Sequence, residues 1–209
     1  REQMGEGWSD FFALMLTNKP GDNASVPRGI GTYPAGEAIT GDGIRPEKYS
    51  PDFAVNPYTY ADTNGMEYNN GQAIVPDVHS IGFVWATMLW DLHWQYVAKY
   101  GYASDVMSNT TNGSSRVLQL VTDALKLQVC NPTFIDGRNA VLQAELATTG
   151  GADKCMIWRT FAKRGLGVAA SAGSKTNIND QVQDFTVPAE CVLATDEVKS
   201  VKSNTISIY

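Results

Sequence analysis

Two acidic residues near the start of the chain have a spacing that could serve cation binding. Glu6 and Asp10 are four residues apart, so a helix would place both carboxylates on one face. Two neighbouring carboxylates repel each other and are costly to bury, and a cation beside them would remove that cost. The spacing alone fits a cation-binding pair and two solvent-facing acids equally well.

The string around this pair carries more information than its spacing. Residues 4–11, MGEGWSDF, resemble the fungalysin family of thermolysin-like (gluzincin) zinc metallopeptidases, in which a Glu-x-x-Ser/Ala-Asp helix follows a His-Glu-x-x-His helix. The resemblance implies that Glu6 is the third protein ligand of zinc. It also implies that Asp10 accepts the second N–H of a ligand histidine and fixes that ring. The resemblance continues through residues 125–128, 134–138 and 158–167, which are similar to strings in bacterial members, so we expect a bacterial source.

A second segment, residues 77–85 (DVHSIGFVW), resembles a helix start in the same family. The resemblance implies that His79 stabilises the oxyanion of the tetrahedral intermediate, because a side chain at a helix N-terminus can reach into a cleft. Asp77 is a candidate for orienting His79. Without the resemblance, His79 would be interpreted as a surface residue. His93 lies ~21 Å further along the same helix at ~1.5 Å per residue, so it cannot share a metal with His79 and is interpreted as structural.

Arg45 lies in the string GIRP, at the place where the family has an arginine after the third-ligand helix. The resemblance implies that this arginine binds the substrate carbonyl next to the scissile bond. A planar fork of N–H donors suits that task. The alternative is an ordinary surface arginine.

The chain has no His-Glu-x-x-His sequence, which is the largest departure from the family pattern. The two zinc histidines and the glutamate that activates water are therefore expected upstream of residue 1, and we interpret the chain as an inactive part of a larger catalytic domain. The resemblance implies one zinc ion shared with that upstream half, a protein or peptide substrate, and a propeptide as a further partner. It is also compatible with bound calcium.

Composition and charge narrow the class of protein. Hydrophobic residues make up 43% and charged residues 18% of the 209 residues, which is enough for a packed core. The net charge of −6 and the lack of a basic cluster argue against nucleic-acid binding. The longest apolar stretch, residues 81–90, is shorter than the ~20 residues of a membrane span.

Three cysteines, Cys130, Cys155 and Cys191, contain no CxxC pair, so a structural zinc knuckle is not expected. They allow one disulfide and one odd thiol, but their pairing cannot be read from the sequence. A disulfide requires an oxidising compartment, and the family resemblance implies a secreted, extracellular protein.

The element pattern predicts a mainly α fold, the helical carboxy-terminal lobe of a thermolysin-like peptidase. Five helices are expected: one ending at residues 18–21, then 78–100, one capped by Ser114 or Ser115, one from 131–133 to 146, and 153–164. In the third helix, Leu118 and Leu125 are expected to face inward with two valines. Residues 20–77 form a long loop that its aromatic residues should order, and residues 182–193 could form short strands. Residues 1–190 are assigned to the lobe and residues 191–209 to a tail leading to a further region.

Two other functions fit parts of the sequence. A non-catalytic helical module could bind the upstream half of the chain or a propeptide. A hydrolase could use Glu6 and Asp10 as acid and base, but neighbours on one helical turn are poorly placed to straddle a substrate. A His-Glu-x-x-His sequence roughly 20–30 residues before Glu6 in the parent gene, as the resemblance implies, would favour the peptidase.

Overall fold

The computed structural model describes residues 2–192. Five α-helices dominate it, so the predicted mainly α fold is confirmed. They are α1 (Gly5–Leu16), α2 (Val78–Tyr100), α3 (Gly113–Leu127), α4 (Phe134–Thr149) and α5 (Lys154–Lys163). A hairpin of β1 (Glu67–Asn69) and β2 (Ile74–Pro76) and two 3₁₀ turns, Tyr60–Thr63 and Ala189–Cys191, complete the described part. Residues 193–209 of the predicted tail lie outside it.

Helix α2 is the centre of the fold. It contacts α1, α3 and α5, and every residue from Ile81 to Trp94 is buried. A helix covered on all sides needs apolar residues all round rather than a stripe on one face. The ring of Trp85 lies 5.2 Å from Phe134 and 5.8 Å from Phe161, so aromatic packing joins α2 to α4 and α5. None of the helices in residues 2–192 has the length and hydropathy of a membrane-spanning helix.

Local sequence explains where the helices begin and end. Thr133 accepts from the backbone N–H of Asp136 while Asp136 accepts from that of Thr133, a capping box that starts α4. Gly150 ends it in the left-handed conformation. The cap of α3 is Asn112, which accepts from the N–H of Ser115, so the assignment to Ser114 or Ser115 was wrong by a few residues.

The expected inward face of α3 is partly wrong. Val117 and Val121 are buried, as expected, but their buried companions are Leu120 and Ala124. Leu118 and Leu125 are half-buried. Trp158 in α5 is half-buried as well, with the guanidinium of Arg138 4.5 Å from its ring centroid.

The long connection between α1 and α2 is ordered, as its aromatic content predicts, but only some of those aromatics are responsible. Tyr49 and Tyr60 are buried, whereas Tyr33 is 94% and Phe53 41% exposed. The segment also contains the β1–β2 hairpin, in which Tyr68 pairs with Val75, and no strand was expected there. Three-residue strands are too short to give a clear alternating pattern.

The carboxy-terminal part of the described chain is held by isolated bridges rather than by the expected strands in residues 182–193. The bridges join Leu166 to Asp184 and Ser171 to Val182. A disulfide between Cys155 and Cys191 then ties the last described turn to α5. This decides the pairing that the sequence left open, and Cys130 remains an exposed free thiol.

Candidate active site

Helices α1 and α2 cross at two glycines, and this crossing determines which side chains meet. A Cβ added at Gly82 would lie 2.5 Å from the backbone nitrogen of Gly7 and 2.9 Å from the Cβ of Glu6. A Cβ added at Gly7 would overlap the carbonyl oxygen of Gly82. Glycine at both positions therefore allows backbone contact, which places Glu6 at the amino end of α1 beside His79 at the amino end of α2.

Glu6 is the meeting point of the predicted site residues. Its Oε2 lies 3.0 Å from Nδ1 of His79 and accepts a hydrogen bond of 3.2 Å from Nη2 of Arg45. The Glu6 side chain is 39% exposed and that of His79 is 62% exposed. Residues separated by up to 73 positions therefore converge on one carboxylate oxygen that other groups can still reach.

Asp10 is the buried acid of the pair. Arg45 grips it with two hydrogen bonds, Nε to Oδ2 at 2.6 Å and Nη2 to Oδ1 at 2.8 Å. The hydroxyl group of Tyr49 donates to Oδ2 at 2.6 Å. The arginine compensates a carboxylate whose side chain is only 5% exposed. We refer to Glu6, Asp10, Arg45 and His79 as the site cluster.

Arg45 is held in a fixed orientation at the edge of an open groove. The hydrogen bond to Asp10 is the main reason why its pKa is raised above the usual value, although partial burial opposes the shift. The groove has a volume of about 510 Å³. Its lining comes from two places in the chain, the loop before Tyr49 and the start of α2: Ile44, Arg45, Pro46, Asp77, His79 and Ser80.

Asp77 lies beside this groove as the N-cap of α2. Its carboxylate accepts from the backbone N–H groups of His79 and Ser80 and from the Ser80 hydroxyl group at 2.6 Å. Partial burial alone would raise the pKa of Asp77, but these hydrogen bonds outweigh it and lower the pKa below its usual value. Asp77 thus fixes the backbone that carries His79, while the contact of the His79 ring is with Glu6.

His93 lies elsewhere, in the interior against α3. It is fully buried, and its Nε2 lies 3.0 Å from the hydroxyl oxygen of Ser114. Burial, followed by the nearby charge of Arg28, lowers the pKa of His93 to about 3. The ring is therefore neutral and has no contact with the site cluster among the described residues.

Comparison of the sequence with known proteins identifies a family. Residues 1–170 match the family model described as fungalysin metallopeptidase (M36). The chain belongs to the fungalysin family. It is 41% identical over 196 residues to an extracellular metalloproteinase of Pyrenophora tritici-repentis, and 40% identical over 195 residues to extracellular metalloproteinase MEP of Pyricularia oryzae. It is 37% identical over 193 residues to extracellular metalloproteinase 2 of Arthroderma gypseum.

These alignments cover 89–90% of this fungalysin chain but only 27–28% of each relative. The chain therefore spans about a quarter of the length of the proteins it matches. Within residues 2–192, no group of three or more His, Cys, Asp or Glu side chains could by itself hold a metal ion. The donor that suits a metal is Glu6, a half-exposed carboxylate, whereas Asp10 is enclosed by Arg45 and Tyr49.

Sequence reasoning missed two contributors to the site. Tyr49 was not singled out, because nothing local distinguishes it from the other tyrosines of the long loop, such as Tyr58 or Tyr60. The Gly7–Gly82 crossing did leave a signal, because an interior glycine costs a helix roughly 1 kcal/mol relative to alanine and so indicates a packing reason.

Proposed function

We propose that the complete protein is a secreted zinc metalloendopeptidase and that this fungalysin chain supplies one metal ligand and two substrate-stabilising groups. The observation that carries the proposal is that His79 and Arg45 both contact Oε2 of Glu6 beside an open groove. Family membership and relatives named extracellular metalloproteinases support the reaction class and the secreted location. The substrates would be proteins or peptides.

Each member of the site cluster has a role that its surroundings suit. Glu6 would give one oxygen to the zinc ion, and its exposure lets ligands from outside this chain join it. Zinc supplies Lewis-acid activation of water and of the scissile carbonyl group. Asp10, which Arg45 and Tyr49 hold by hydrogen bonds, would accept the outer N–H of a ligand histidine through the remaining capacity of Oδ1.

Two groups would act on the substrate. His79 reaches into the groove from the first turn of α2 and would donate an N–H to the oxyanion that forms at the scissile carbonyl. Arg45 would donate to a neighbouring substrate carbonyl through Nη1, since Asp10 holds Nε and Nη2 and the residue lies in the groove lining. Asp77 would hold the first turn of α2 so that the His79 side chain stays beside the groove.

Metal analysis of the full-length protein and of two glutamate variants tests the proposal. Glu6→Gln removes the negative charge of the proposed ligand, whereas Glu47→Gln makes the same change at an exposed position two residues after Arg45. We expect about one zinc ion per molecule in the wild type and in Glu47→Gln, and a large loss in Glu6→Gln. Hydrolysis of an unfolded protein substrate should fall to background only in Glu6→Gln.

Two outcomes would count against the proposal. A Glu6→Gln variant with the full zinc content of the wild type would remove Glu6 from the metal site. A correctly folded wild-type protein with neither zinc nor hydrolytic activity would instead leave the non-catalytic binding module as the better function.

A further inference from the structure

We propose that Tyr49 is a positioning residue of the site cluster: its buried hydroxyl group holds the Asp10 carboxylate in the orientation in which Asp10 fixes Arg45 beside the groove. The inference rests on the proposed zinc-peptidase function and adds a residue to it. Tyr49 does not line the groove and would touch neither metal nor substrate.

Tyr49 is itself held rigidly. Its side chain is fully buried, and its ring centroid lies 5.1 Å from that of Phe83 in α2. Its backbone N–H and C=O both pair with Arg28, at 2.8 and 3.0 Å. Backbone and ring are therefore fixed independently of Asp10, so the hydroxyl group is a fixed donor to which the carboxylate must adapt.

The hydrogen bonds of Asp10 show what this donor does. Oδ2 accepts from Tyr49 and from Nε of Arg45, which fills the roughly two acceptor positions of a carboxylate oxygen. Within residues 2–192, Oδ1 accepts only from Nη2 of Arg45, and this nitrogen also reaches Oε2 of Glu6 at 3.2 Å. A rotation of the Asp10 carboxylate would therefore move Arg45 and disturb its bond to Glu6.

The hydroxyl group of Tyr49 remains a donor at neutral pH. Burial, together with the negative charge of Asp10, raises the pKa of Tyr49 well above its usual value. The phenol thus stays protonated and continues to donate to Oδ2. If the hydroxyl group were absent, Oδ2 would keep only the donor on Arg45, so the carboxylate and the guanidinium could turn together without leaving a fixed donor unpaired.

Phenylalanine substitution in the full-length protein tests the inference, because the chain offers a matched control. Tyr49→Phe removes only the hydroxyl group and keeps the ring on Phe83. Tyr58→Phe makes the same change on a half-buried ring 5.2 Å from Phe83 whose hydroxyl group does not bond to Asp10. For each variant we would measure KM and kcat for a peptide, the rate of zinc release to a chelator, and the thermal midpoint.

We expect Tyr49→Phe to raise KM and to accelerate zinc release by roughly 3- to 10-fold, with kcat changed less than KM. This is smaller than the ~10- to 100-fold effects of residues that contact metal ligands directly, because Tyr49 acts one step further away. Tyr58→Phe should match the wild type within roughly 2-fold in both measurements. A merely structural role would lower the thermal midpoint without changing the KM-to-kcat balance or zinc release.

Three results would overturn the inference. The first is that Tyr49→Phe matches Tyr58→Phe in KM and zinc release. The second is that Tyr49→Phe fails to fold, which would make the hydroxyl group of Tyr49 a stabilising element instead. The third is a crystal structure of Tyr49→Phe in which Arg45 keeps its 2.6 and 2.8 Å contacts with Asp10 in the same orientation as in the structure of Tyr58→Phe. A wild type without zinc or hydrolysis would refute the proposed function, and this structural comparison would still test Tyr49.

Discussion

Two regions of the molecule pair an arginine with a buried aspartate, and they differ in how completely the arginine is used. In the structural cluster of Asp91, Lys163 and Arg164, the fully buried Arg164 bonds Asp91 through Nε at 2.8 Å and Nη2 at 3.3 Å. Its remaining donors go to carbonyl oxygens of the long loop: Ser50, Asn56 and Tyr58. All five N–H groups are thereby satisfied.

Arg45 in the site cluster uses its fork differently. Nε and Nη2 donate to Asp10, and Nη2 also donates to Glu6. Nη1 donates no hydrogen bond to any of the described residues. The two carboxylates that Arg45 contacts, those of Glu6 and Asp10, both lie in helix α1 and not in a loop. An arginine whose N–H groups are all bonded within the protein, such as Arg164, stabilises the fold. An arginine beside the groove with an unused N–H donor, such as Arg45, can still bind a ligand.

Charge-preserving substitution at both arginines should separate the two roles most clearly. Arg164→Lys keeps the ion pair with Asp91 but cannot serve the three loop carbonyls, and each orphaned buried group costs about 1–3 kcal/mol. We expect the free energy of unfolding to fall by about 2–4 kcal/mol in denaturant titrations. Peptide KM should change little in the fraction that remains folded.

Arg45→Lys is the matched variant in the site cluster. It loses one of two bonds to Asp10 and orphans no loop carbonyl, so we expect the free energy of unfolding to fall by only about 1 kcal/mol. KM should rise roughly tenfold, since a lysine lacks the planar fork. The comparison would be wrong if Arg45→Lys destabilised the protein as much as Arg164→Lys and left KM unchanged.

A substitution at the crossing of α1 and α2 tests how closely the two helices must pack. Gly82→Ala places a Cβ against the backbone of Gly7 and the side chain of Glu6, so the helices must move apart. We expect a loss of about 1–3 kcal/mol in the free energy of unfolding, as for overpacked cores. Because Glu6 and His79 would separate, peptide hydrolysis should fall further than stability alone explains.

Gly5→Ala provides the control for this substitution. Gly5 lies in the first turn of α1, and a Cβ added there meets nothing within 4 Å. Alanine is the better helix former, so stability should stay the same or rise by up to about 1 kcal/mol. Equal stability and activity in Gly82→Ala and Gly5→Ala would show that the crossing tolerates a wider separation.

The sequence predicted the parts of this molecule that depend on local signals. The predicted bounds of α2, residues 78–100, agree with the structure, in which Asp77 caps its start and Gly101 follows its last residue. The family string around Glu6 and the one around His79 identified residues that do meet in space. Local capping chemistry and a known motif are both readable from neighbouring residues.

Long-range partners were not predictable in the same way. Tyr49 donates to a carboxylate 39 positions away, and Arg164 binds an aspartate 73 positions away. Tyrosine and arginine are common in loops and at helix ends, so their types carry no indication of these partners. The covering of α2 on every side likewise depends on where the other elements pack, which a periodicity within one helix does not contain.

The two histidines repeat the contrast between a closed interior and an open site, and the pH dependence of stability tests it. His93 has a pKa of about 3 in the folded protein, below the ~6.5 of an unfolded chain. The unfolded state therefore binds a proton first, so the contribution of His93 to stability is lost as pH falls from about 6.5 towards 3. Glu2 acts in the opposite direction, because burial raises the pKa of its carboxyl group.

Comparison with a His93→Gln variant isolates this contribution, because Glu2 is unchanged and glutamine can still bond the hydroxyl group of Ser114. Between pH 6.5 and 5, we expect the wild type to lose about 1–2 kcal/mol more unfolding free energy than the variant. Denaturant titrations at several pH values measure both slopes, with His79→Gln as a control for loss of a histidine outside the interior. Equal slopes in wild type and His93→Gln would mean that water or a proton reaches His93 in the folded protein, so that the interior against α3 is less closed than the structural cluster.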